Sequence, residues 1–126
     1  MKAAELETLG RRAVACKHWR WMPGMTILGS KGRRVVVLGL SGAPEATSGM
    51  SSRAIDPDEL PDLSSPATLG CLLHLVEEAY GHVGIMWSGG EWECWVDVGG
   101  SQFNFTGLTK QEALVNALER VEHWKG

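Results

Sequence analysis

Residues 60–81 constrain the fold more than any other stretch, because they encode a helix too apolar to leave most of its surface in water. Ser64 or Ser65 can cap its start, Pro66 suits the first helical position, and Gly81 suits the stop. Leu69, Leu72, Leu73, Val76 and Tyr80 recur at helical spacing, while Cys71, Leu75 and Ala79 widen the stripe beyond one narrow face. Such a helix needs cover on more than one side, and the remaining segments are expected to supply it.

Beyond Gly81 the hydrophobic period changes to two. Strands are expected over 83–87, 91–98 and 102–106, separated by Ser88-Gly89-Gly90 and Gly99-Gly100-Ser101, which makes an antiparallel meander. In the middle strand Trp92, Cys94, Val96 and Val98 share one face, and Glu91, Glu93, Trp95 and Asp97 share the other. A closing helix follows, with Thr109 as cap, Glu112 completing a capping box, and Leu108 placed to form a hydrophobic staple. Its buried stripe is Leu114, Ala117, Leu118 and Val121, and its wet face holds Asn116, Glu119, Arg120 and His123.

The N-terminal half reads less cleanly. A helix over 3–17 would bury Leu6, Leu9, Ala13 and Cys16. A Pro23-Gly24 turn follows, then strands over 25–28 and 33–38 joined by a loop at 29–32. Residues 39–63 are rich in Ser, Gly, Pro, Ala and acidic side chains, so a flexible or functional loop is expected there. Together these elements predict one α+β domain over 1–126: a helix–sheet–helix sandwich with three helices and about five strands.

A chain that is 44% hydrophobic and 21% charged has the composition of a globular protein, and its apolar runs are too short to cross a bilayer. Lys2 is followed by Ala3, Ala4, Glu5, Leu6 and Glu7 rather than by an apolar run, so a secretory signal is not expected and a cytoplasmic location is. Cys16, Cys71 and Cys94 are odd in number and widely spaced, which argues against a disulfide framework. The net charge of −3 conceals an asymmetry, with +6 carried by residues 1–38 and −9 by the rest. Such a split can steer an anionic ligand to the N-terminal part or let copies of the chain associate.

Catalytic and metal chemistry find little purchase in the pattern. Cys71-x-x-His74 lies on one helix side, but the only other close pair, Cys16-x-His18, is poorly spaced for zinc. There is no nucleophile elbow, phosphate-binding Gly-rich loop or HExxH motif, so neither an enzyme nor a resident cofactor is expected. Glu91, Glu93 and Asp97 repeat at two-residue intervals, which is the spacing of a solvated strand face as much as of acid–base catalysis. With a basic recognition helix lacking and an acidic C-terminal part, duplex DNA is not an expected partner.

Binding is the better expectation. Trp19 and Trp21 flank Arg20, and Arg33 and Arg34 follow on the next strand pair, which supplies stacking surfaces beside phosphate partners. Trp95, between Glu93 and Asp97 on an otherwise polar strand face, suggests a second surface for a protein interface.

Residues 60–80, the Trp-containing meander and residues 108–119 resemble a group of small uncharacterised phage and prophage proteins and, more loosely, the phage ABA sandwich family; residues 18–25 also resemble the Trp-Arg-Trp-x-x-Gly-Met start seen in that group. The resemblance implies a helix–sheet–helix fold, a mobile-element origin and a host cytoplasmic location, and it implies no catalytic residues. The function expected is a non-enzymatic accessory protein, a counter-defence factor that sequesters a small anionic nucleotide signal through Trp19, Arg20, Trp21, Arg33 and Arg34. The alternative is an inhibitor that blocks a host protein through Trp95, Glu93 and Asp97. A homo-oligomer is expected in either case.

Overall fold

The computed structural model describes residues 2–29, 34–48 and 51–124, with side chains described as far as Val121. In chain order the elements are α1 (Ala3–Val14), β1 (Val35–Leu38), β2 (Pro44–Ser48), β3 (Ser51–Ala54), α2 (Pro66–Tyr80), β4 (His82–Ser88), β5 (Glu91–Val98), β6 (Ser101–Gly107) and α3 (Lys110–Trp124). The α+β class and three helices are as expected. Among the described residues, however, there are six strands rather than about five, and they form two three-stranded antiparallel sheets, β1-β2-β3 and β4-β5-β6, rather than one sandwich.

α2 starts at Pro66 and ends at Gly81, whose φ of 96° is the left-handed conformation that glycine adopts without strain. Ser65 occupies the cap position, but its side chain makes no cap hydrogen bond, and Ser64 is held by Asp62 instead. Thr68, Leu72, Leu75 and Val76 are buried, and Leu69, Cys71, Leu73 and Tyr80 pack against the core at its edge. Only the side carrying Gly70, His74, Glu77 and Glu78 is exposed. Cover comes from α3 and from the β4-β5-β6 sheet, and α1 packs on α3 in turn.

α3 is capped as expected: the Glu112 N–H donates to Thr109 Oγ1 at 3.1 Å. The return limb of the box reaches one residue further back, from the Leu108 N–H to Glu112 Oε1 at 3.3 Å. The staple does not form, because Leu108 is 74% exposed. Just before it, Gly107 lies so close to the helix start that a Cβ there would come within 2.7 Å of the Ala113 nitrogen.

The N-terminal half departs further from expectation. α1 stops at Val14, three residues before 17, although Leu6, Leu9, Ala13 and Cys16 are buried as the spacing requires. Residues 25–28 do not form a full strand, because their backbone is divided between two neighbours. The Met25 carbonyl accepts from Val36 and the Ile27 N–H donates to Arg34, while Leu28 and Thr26 bond to Leu60 and Asp62. The loop expected at 29–32 lies, apart from Gly29, outside the described residues. The 39–63 stretch contains β2 and β3, which pair in register Glu45↔Ala54 and Ala46↔Arg53, with Ala46 fully buried. Its end is fixed by Leu63, also fully buried, whose carbonyl accepts from Gln111 of α3 at 2.8 Å.

Candidate functional site

The meander is covered on one face only. Its register aligns Val83, Val96 and Phe103, then Ile85, Cys94 and Phe105, on the side that meets α2 and α3. Strand alternation therefore sets His82, Asp97 and Gln102, then Gly84, Trp95 and Asn104, then Met86, Glu93 and Thr106 on the opposite side. No helix packs there among the described residues.

Trp95 is at the centre of this outer face. Its indole lies across Gly84 of the neighbouring strand, where a Cβ would come closer than 3.0 Å to the ring. The missing side chain at 84 gives the ring a flat seat, which leaves Trp95 half-buried rather than standing in solvent. Beside it, Glu93 accepts a 2.5 Å hydrogen bond from Asn104 Nδ2, and Asn104 Oδ1 accepts from Gln102 Nε2 at 3.2 Å. Met86 is 49% exposed next to this network. The face carries Glu91, Glu93 and Asp97 and no lysine or arginine, so an aromatic and thioether patch sits in an acidic frame.

The expected nucleotide residues are distributed differently. Trp19 and Trp21 meet edge to face, with ring centroids 5.6 Å apart. They line a cleft of about 440 Å³ with Val14, Pro44, Ile55, Asp56 and Glu59. The Trp19 Nε1–H is buried and has no hydrogen-bond partner among the described residues. Arg20 turns away to α2, where its two terminal nitrogens bond both oxygens of Glu78 at 2.5 and 2.7 Å. Glu78 also meets His74 Nε2 at 3.0 Å. The paired Arg20 pulls the Glu78 carboxyl down to about 2. Arg34 is half-buried, and its charge helps to hold Glu59 below its usual range, behind the larger effect of the Arg53 hydrogen bond. Arg33 lies outside the described residues. The structure thus brings the two tryptophans together at a cleft and sends Arg20 elsewhere.

The three cysteines are free thiols. Burial pushes Cys94 up to about 12 and raises Cys71, which removes both from the range of an activated nucleophile. Cys71 Sγ faces the Pro23 carbonyl, while His74 is engaged by Glu78, so the helical pair shares no centre. No group of three or more potential metal ligands comes together among the described residues. No helix among them is long and apolar enough to cross a membrane.

Sequence reasoning missed three features of this region. Trp87, 56% exposed, packs edge to face on Trp92 at 5.5 Å, and Lys110 Nζ sits 4.7 Å above the Trp92 ring, a cation–π contact linking α3 to the sheet. The Arg20–Glu78 pair joins residues 58 positions apart, which no local spacing announces. A cleft of about 660 Å³ opens along the edge of β6 and is lined in part by Arg12, Cys16, Asn104, Asn116 and Arg120.

No protein-family model, curated protein or solved structure matches the chain.

Proposed function

We propose that the protein works by binding, and that the outer face of β4-β5-β6 docks a protein partner with a basic surface. The observation that carries this reading is Trp95 seated on Gly84 inside a frame of Glu91, Glu93 and Asp97. A preplaced indole contributes apolar contact at little entropic cost, and the surrounding carboxylates select a positively charged partner and speed its approach. In this reading the partner is a host-cell protein whose activity docking blocks. The N-terminal part of a second copy, which carries the positive half of the charge split, is the other occupant of suitable sign.

The test is affinity capture with the wild-type chain, Trp95→Ala and the double variant Glu93→Lys/Asp97→Lys, each checked by its melting curve. The expected result is one basic protein retained by the wild type and lost by both variants while each still unfolds in a single cooperative transition. Retention by the double variant overturns the reading. Concentration-dependent self-association abolished by the same changes would assign the face to a second copy.

A second reading, sequestration of a nucleotide at the Trp19–Trp21 cleft, is favoured by the two indoles meeting at one cleft. In it the base stacks on the indoles and Arg34 receives phosphate. Thermal-shift titration with cyclic oligonucleotides and ADP-ribose-type nucleotides tests it: stabilisation should grow with ligand concentration and vanish in Trp19→Ala. No shift with any compound removes it.

A further inference from the structure

We propose that the open edge of β6 is a strand-addition site that takes an extended peptide carrying an acidic side chain, which Arg120 receives. The site is the backbone edge of β6, which borders the outer face at Gln102, Asn104 and Thr106, and peptide capture there is tested separately from docking on that face.

Among the described residues β6 is hydrogen-bonded to β5 on one side and to no strand on the other. Asn116 Nδ2 of α3 donates to the Thr106 carbonyl at 2.8 Å, so the backbone of Thr106 points off the sheet. In an antiparallel strand the N–H and C=O of one residue point the same way and alternate residues point oppositely. Phe103 and Phe105 therefore face β5, and the backbone groups of Gln102 and Asn104 face outward with Thr106. Apart from the Thr106 carbonyl, which Asn116 already occupies, such a row of outward donors and acceptors is a template for another strand.

The edge opens into a ready-made cleft. Arg12, Ala15 and Cys16 of the α1 end and Asn116, Glu119 and Arg120 of α3 stand opposite Asn104, Phe105 and Thr106. Its volume of about 660 Å³ is within the range of specific ligand sites. Phe103, on the covered side of the same strand, is still 39% exposed and would gain cover from an added strand.

Charge decides the occupant. Arg12 is already matched, bonding both oxygens of Glu119 at 3.0 and 2.6 Å and Asn116 at 2.5 Å. Arg120 is exposed and forms no ion pair among the described residues, so the cleft keeps one unmatched positive charge. A second copy pairing through its own β6 would offer Ser101-Gln102-Phe103-Asn104-Phe105-Thr106-Gly107, which contains no carboxylate. A peptide with Asp or Glu among β-forming residues meets both the edge and the charge.

The test pans a library of short random peptides on the immobilised full chain and measures the selected peptide by fluorescence anisotropy. Proline is tolerated on a strand edge where its missing N–H faces outward, so Asn104→Pro removes the outward donor, and Asn104→Ala retains it. Enrichment of acidic peptides is expected, with binding weakened at least about tenfold by Asn104→Pro and by Arg120→Glu and weakened less by Asn104→Ala, which keeps the backbone donor. Amide exchange on the wild type supplies a readout independent of variant stability: the Gln102 and Asn104 amides should become protected when peptide is added. No enrichment, equal binding by Asn104→Pro, or unprotected amides overturns the proposal. Protection of these amides by self-association without peptide overturns it in favour of a second copy.

Discussion

Gly84 and Trp95 are cross-strand neighbours in which one residue's missing side chain is the other's seat. The relationship makes an aromatic ring on a polar face compatible with a folded monomer, and it holds that ring in one place. Gly84→Ala should force the indole off the sheet and cost about 1–3 kcal/mol, as overpacking does. Chemical denaturation measures the loss, and partner capture should weaken with it. A Gly84→Ala protein of wild-type stability would show that Trp95 is not held there.

Thr68 is fully buried on α2, and its hydroxyl accepts from the Thr26 N–H at 2.9 Å. Thr68→Val keeps the shape and removes the acceptor, which leaves a backbone donor without its partner. The expected loss is about 1–3 kcal/mol in denaturant unfolding. Thr68→Ser, which restores an oxygen, should recover part of it.

Glu78 gives the acid limb of the stability profile. Its carboxyl is held at about 2 in the folded protein, chiefly by the Arg20 hydrogen bond, against an ordinary value of 4.5. The stabilisation is present above the unfolded value and is lost as pH falls from 4.5 through about 2. Arg20→Ala should lower the melting temperature above the unfolded carboxyl value and leave it unchanged at the acid end, which flattens the acid limb.

The alkaline limb has a different source. Burial raises Cys94 from 9.0 to about 12 and Tyr80 from 10.0 to about 12, so the folded state keeps protons that the unfolded chain gives up. Stability should therefore fall as pH rises from 9.0 towards 12. Cys94→Ala should reduce that slope, and in the native protein a thiol reagent should label Cys71 well before Cys94, which is fully buried.

The C-terminal half was legible because its signals are local. Pro66 and Gly81 bracket α2, Thr109 and Glu112 open α3, and the Gly pairs at 89–90 and 99–100 punctuate the meander. The position of Trp95 on the outer face followed from period two alone, but its seat depended on register with Gly84, which no single strand encodes. β2 and β3 escaped detection because Pro44–Ser48 and Ser51–Ala54 consist of small and polar residues, of which only Ala46 is buried. Leu108 failed as a staple because the turn from Gly107 leaves it facing solvent. The sequence places Arg20 beside Trp19 and Trp21, whereas a carboxylate far along the chain holds it.

Carboxylate footprinting of the chain bound to its captured partner tests the central claim most directly. With a water-soluble carbodiimide, modification of Glu91, Glu93 and Asp97 should drop on complex formation, while Glu5, Glu7 and Asp58 react as in the free protein. Undiminished modification of Glu93 and Asp97 in a saturated complex would contradict the assignment of the outer sheet face as the docking surface.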